Sequence, residues 1–137
     1  MKNFLCPESF GDLREISVQA LAHVGDAVYE LMVRTYLCST GAKAAKQLHK
    51  KSVAMVSAKA QAVSASLILS SLSDDEMAVY KRWRNAYQNS VPKASTHEEY
   101  HAATALESLF GFLYLSGELD RLEELFKIIV SENSLEG

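Results

Sequence analysis

Ser17-Val18-Gln19-Ala20-Leu21-Ala22-His23-Val24-Gly25-Asp26-Ala27-Val28-Tyr29-Glu30-Leu31-Met32 carries the period of an amphipathic helix. Leu21, Val24, Val28, Leu31 and Met32 recur at helical spacing, so this face is core. Ser17 is a plausible N-cap, and Gly41 stands just past the expected end at about Cys38. Two residues do not fit a plain core helix. Gly25 in mid-helix costs about 1 kcal/mol against alanine, which points to close approach of another helix or a ligand. Asp26 follows it, flanked by Val24, Ala27 and Val28. A lone acid of this kind is commonly an edge-of-core carboxylate satisfied by an arginine or a backbone group.

Outward from this helix the pattern stays helical. Two prolines and six glycines punctuate 137 residues, and alternating β-type runs are missing. A second helix is expected over about Ala42–Leu72, with a break near Ser52–Ser57. It is basic at first (Lys43, Lys46, His49, Lys50, Lys51) and then small and apolar. Ser73-Asp74-Asp75-Glu76 has the capping-box form and opens a third helix to about Tyr87. The polar stretch 88–95 is a loop. Thr96-His97-Glu98-Glu99 is a second capping box, opening a fourth helix that ends at Gly117. A fifth runs from Glu118 to about Val130, with Leu122, Leu125, Phe126 and Ile129 on one face. The expected architecture is one all-α domain of about five main helices spanning 1–137, with its core in about 17–130.

The composition is that of a globular protein, 48% hydrophobic and 23% charged. No apolar run approaches the ~20 residues of a membrane span, so no membrane is expected. Met1–Phe10 does not have the form of a signal peptide. Cys6 and Cys38 sit in no metal spacing and read as free thiols of a reducing cytoplasm. The net charge of −3 divides unevenly: residues 1–30 carry −3, residues 31–93 carry +7 and residues 94–137 carry −7. A basic middle in an acidic chain suggests a phosphate-bearing partner, with a solvated helix face as the plain alternative.

Glu107 repeats the anomaly of Asp26. It is the only charge between Glu99 and Glu118, in Ala105-Leu106-Glu107-Ser108-Leu109-Phe110-Gly111, and Gly111 lies four residues on, on the same face. If the two helices pack, the carboxylates can share one Mg²⁺, which favours oxygen ligands and keeps several waters.

These strings resemble a known family. Leu21–Glu30 resembles the signature helix of ribonuclease III, and Ala103–Leu115 resembles its later catalytic helix. Leu48-His49-Lys50-Lys51-Ser52, Val56-Ser57-Ala58-Lys59-Ala60-Gln61-Ala62, Lys81-Arg82-Trp83-Arg84-Asn85-Ala86 and Thr104-Ala105-Leu106-Glu107 are similar to the Mini-ribonuclease III subfamily. The resemblance spans about Ser17–Val130. It implies an all-helical homodimer that cuts double-stranded RNA with Mg²⁺, leaving 5′-phosphate and 3′-hydroxyl ends. It implies a role in maturing the ends of precursor 23S ribosomal RNA, with a ribosomal protein as a further candidate partner. It also implies that no separate double-stranded-RNA-binding domain is present. Asp26 and Glu107 become the catalytic, metal-binding pair.

Departures from the family pattern thin this site. Ala22 and Thr104 stand where full-length ribonuclease III has acids, as in the Mini subfamily. One Mg²⁺ per protomer is therefore expected, with Glu30 and Thr104 as auxiliary candidates. Trp83 replaces an expected glycine and Tyr87 an expected lysine. The candidate RNA surface is Lys81, Arg82, Arg84, Asn85 and Lys93, with Lys50, Lys51 and Lys59 beside it. Duplex RNA is recognised through backbone, 2′-hydroxyl and shape, which suits cations of this kind. A basic helix end stabilised by the macrodipole accounts for Lys81–Arg84 equally well.

Two other readings compete. His97-Glu98-Glu99-Tyr100-His101 matches the H-E-x-x-H string of zinc peptidases, with Glu118 or Glu123 as a third ligand. Its position in a first helical turn already explains Glu98 and Glu99 through the helix dipole. The other is a non-catalytic RNA- or ribosome-binding helical module that kept the fold.

Overall fold

A computed structural model describes residues 3–8, 11–84 and 96–136, which are mostly helical and contain no strand. Among the described residues six α-helices follow one another: α1 (Val18–Ser39), α2 (Ala45–Val56), α3 (Ala58–Ile68), α4 (Asp74–Arg84), α5 (His97–Leu115) and α6 (Leu119–Glu136). Short 3₁₀ turns at Leu13–Glu15 and Leu69–Ser71 precede α1 and follow α3.

Local chemistry sets the helix ends. Ser17 caps α1, its Oγ accepting from Ala20 N–H at 3.0 Å. Thr96 and Glu99 close a reciprocal capping box on α5, and Ser73 and Glu76 do the same on α4. The expected second helix is two helices. Ser57 holds extended backbone between them and ends α2 while its Oγ caps α3 through Ala60 N–H. The two axes meet at 60°. A serine hydroxyl competes with the helical ladder for backbone donors, which is why the break falls there.

α5 is the central helix. It packs against α1, α3, α4 and α6, and Ala103–Leu106, Ser108–Gly111, Leu113 and Leu115 are all buried. A helix that is apolar nearly all round belongs inside a core. Tyr29 and Phe110 meet edge to face at 5.2 Å, and Phe126 joins Tyr29 at 6.0 Å. Full burial of such side chains contributes about 1.5–3 kcal/mol each. Tyr29 and Phe110, which helical period could place in core or interface, are both core, while Phe112 is half-buried. Tyr29 Oη donates to Ser64 Oγ at 3.1 Å, locking α1 to α3.

A polar pin ties the far end of the bundle. Arg121 holds the buried Glu76 through Nε–Oε2 and Nη2–Oε1, both 2.9 Å, and donates Nη2–H to the Ser71 carbonyl at 2.5 Å. Among the described residues, no single helix is long and apolar enough to cross a membrane.

Candidate active site

The site arises where α1 crosses α5, and two glycines allow that crossing. A Cβ on Gly25 would stand 1.5 Å from the Glu107 carbonyl oxygen, and one on Gly111 would stand 2.0 Å from the Leu21 carbonyl oxygen. The backbones therefore touch, closer than any side chain permits. Asp26 and Glu107 flank this contact, and their carboxyls lie within hydrogen-bonding reach of each other. Asp26 is exposed and Glu107 is intermediate in exposure.

Burial pushes the Glu107 carboxyl up to about 8, and the adjacent Asp26 carboxylate adds to the shift. Glu30 raises it further from a distance, while the Gln61 amide opposes the rise by hydrogen bonding. Two acids this close favour either a shared proton or a bound positive charge. Tyr29 lies near enough that Glu107 helps raise its phenol above the ordinary value, after burial as the larger cause.

The donor set fits a hard divalent cation: two carboxylates, one of them solvent-facing, with the buried Gln61 amide beside Glu107 and its Oε1 without a hydrogen-bond partner among the described residues. Among the described residues no group of three or more His, Cys, Asp or Glu is arranged to hold a metal. The pair alone thus suits an ion that keeps much of its water shell. The zinc-peptidase reading lacks a ligand set by the same finding. His97 and His101 meet edge to face at 6.1 Å between ring centroids, and Glu99 closes the capping box.

The auxiliary candidates are placed differently. Glu30 sits one turn from Asp26 but is paired with Arg34 at 2.7 Å. Thr104 is buried, and its hydroxyl donates to the Tyr100 carbonyl at 2.8 Å. Ala22, at the position where an acid was weighed, is buried.

On the candidate RNA surface, Lys50, Lys51, Lys59, Lys81 and Arg82 are all exposed. None of the five forms an ion pair with another described residue. Trp83 is buried in the core, so it offers no stacking face to a base. Asn85, Tyr87 and Lys93 lie outside the described residues, as does the side chain of Arg84. Gln61 escaped the residue-by-residue reading. Its signal was a single amide in a run of small apolar residues, a pattern that also fits an ordinary capping role.

Residues 19–118 match the Ribonuclease III domain family. The chain belongs to that family and is an endoribonuclease. Within the family it stands in the Mini-ribonuclease III branch. It is 37% identical over 134 residues to Mini-ribonuclease 3 of Clostridium tetani, covering 96% of this chain and 89% of that one. It is 42% identical over 116 residues to Mini-ribonuclease 3 of Enterococcus faecalis, covering 83% of this chain and 88% of that one. A crystal structure of a Fusobacterium nucleatum protein superposes with a TM-score of 0.78 at 31% identity, over 90% of this chain and 99% of that one.

Proposed function

We propose that this endoribonuclease cleaves double-stranded RNA in a Mg²⁺-dependent reaction, leaving 5′-phosphate and 3′-hydroxyl ends. The observation that carries this is the meeting of Asp26 and Glu107 at the Gly25–Gly111 crossing. Asp26 and Glu107 would hold the ion. Bound there, Mg²⁺ supplies Lewis-acid polarisation of a phosphate and activation of water. Glu107 would hold such an ion as its carboxylate, because a positive charge beside it favours the charged form. Asp26, the exposed member of the pair, would hold the ion on the side from which a phosphate can approach. The exposed cations of α2, α3 and α4 supply the charge that draws the duplex in.

The preferred substrate is precursor 23S ribosomal RNA in the cytoplasm, and the working form is a homodimer. Two related sites match the two strands of a duplex. The supporting observations are the kinship to Mini-ribonuclease 3 proteins and the basic 31–93 region.

Cleavage of a labelled RNA duplex with and without Mg²⁺, for wild type and Asp26→Asn, tests this. Wild type should cut only with the ion, and Asp26→Asn should lose about 10³-fold in rate, several kcal/mol of metal-derived stabilisation. Full-rate cleavage by Asp26→Asn would remove the catalytic assignment. Duplex binding without any cleavage in wild type would favour a non-catalytic RNA-binding module.

A further inference from the structure

Gln61 is 3% exposed and lies on α3, which packs along α5. Its Nε2 donates one hydrogen to the Val56 carbonyl at 2.9 Å, the last turn of α2. It lies close enough to the Glu107 carboxyl to oppose the rise that burial imposes on that group. Its Oε1 is buried and has no partner among the described residues. Tyr29, one turn beyond Asp26 on α1, bonds Ser64, one turn beyond Gln61 on α3. The same register that brings Tyr29 to Ser64 therefore sets Gln61 beside the carboxylate pair.

We propose that Gln61 is a positioning residue of the Asp26–Glu107 site, its NH₂ orienting the Glu107 carboxylate and its Oε1 accepting a hydrogen from the hydration shell of the bound divalent cation. A purely structural role at the Ser57 bend explains the bond to Val56 but leaves Oε1 unexplained. Buried acceptors are rarely left without a donor. The chemistry of the position also selects an amide. A third carboxylate would add repulsion to an already crowded pair, whereas glutamine brings a donor and an acceptor without charge. Partners behind the direct ligands of a metal commonly set its affinity by orienting those ligands.

This inference rests on the metal reading above, and the test separates the two. RNA-free wild type, Asp26→Asn and Gln61→Met are titrated with Mn²⁺, with free ion followed by electron paramagnetic resonance. Circular dichroism and metal-free thermal unfolding report folding. Wild type should bind, Asp26→Asn should bind far more weakly, and folded Gln61→Met should lose about tenfold or more in affinity. With Mg²⁺, Gln61→Met should lose kcat on duplex RNA while KM for RNA holds. Unchanged Mn²⁺ affinity in folded Gln61→Met overturns the role of Gln61 alone. Absence of Asp26-dependent binding in wild type overturns the metal reading and this inference with it. Should Gln61→Met not fold, the side-chain amide resonances of Gln61 in wild type decide. They should shift on Mg²⁺ addition and not in Asp26→Asn, and resonances indifferent to Mg²⁺ overturn the proposal.

Discussion

Gly25 and Gly111 face each other across the α1–α5 crossing, and the Gly111 nitrogen lies 2.7 Å from where a Cβ on Gly25 would sit. Backbone, not side chain, fills that contact, so relief requires moving a helix.

Gly25→Ala and Gly111→Ala should each destabilise the protein by about 3 kcal/mol, the upper end of ordinary overpacking. The double variant should cost less than the sum, because one displacement of α5 relieves both clashes. Chemical denaturation of the three variants measures this. Cleavage should fall even where the variants stay folded, since Glu107 moves with its helix. A Gly25→Ala protein as stable as wild type would show that the helices do not touch there.

Glu107 makes metal-free stability depend on pH in an unusual direction. Its folded-state value is raised to about 8 from an ordinary 4.5, so the protonated form is the one the fold favours. Its contribution is full below 4.5 and is lost as pH rises through about 8. In chelator, Tm should therefore decline over this window. Glu107→Gln should flatten the decline and add about 2–3 kcal/mol at pH 7. Mg²⁺ needs the carboxylate, so the stabilisation it confers should grow toward pH 8. A rising Tm in chelator across the window would contradict the burial of this group.

Glu76 has the opposite sign. The Arg121 guanidinium holds its carboxyl below the usual range, against the opposing effect of burial. Its contribution is present at neutral pH and is lost as pH falls through the lowered value. Arg121→Met leaves that carboxylate buried without its partner. It should cost about 2–3 kcal/mol, less than a fully buried pair because Arg121 is about a quarter exposed. Duplex cleavage below the lowered Tm should be unaffected, as the pin lies away from Asp26. Thermal unfolding from pH 3 to pH 8 separates it from the Glu107 effect.

Lys50, Lys51 and Lys59 are exposed with no ion-pair partner among the described residues. If each meets a phosphate, each substitution to alanine should reduce the salt slope of duplex binding by about 1 and weaken binding evenly across sequences. Anisotropy titrations at several salt concentrations give the slope. An unchanged slope in the triple variant would remove α2 and α3 from the RNA surface.

The helices were legible because their ends are local. Ser17, Ser73 and Thr96 cap by hydrogen bonds within three residues, so sequence spacing contains the whole interaction. The break at Ser57 was legible only as a region, since a serine in a helical run can either stay in the ladder or leave it. Neighbouring packing decides which, and here the result is two helices in place of one. Trp83 carries the same lesson. It stands among cations where the family pattern leads one to expect a glycine, and the packing of α4 on α5 places it in the core.

Asp26 and Glu107 were determined by sequence alone as two lone acids on apolar helices, each beside a glycine, because periodicity and local composition are properties of one segment. Their shared site was decided by tertiary structure, since 81 residues separate them along the chain and only the glycine-to-glycine crossing brings their carboxyls together. The same holds for the raised pKa of Glu107, which burial and the field of Asp26 create, and for the Gln61 oxygen that has no partner among the described residues. Desolvation and Coulomb interaction depend on what surrounds a group in space, and no spacing in one dimension contains that.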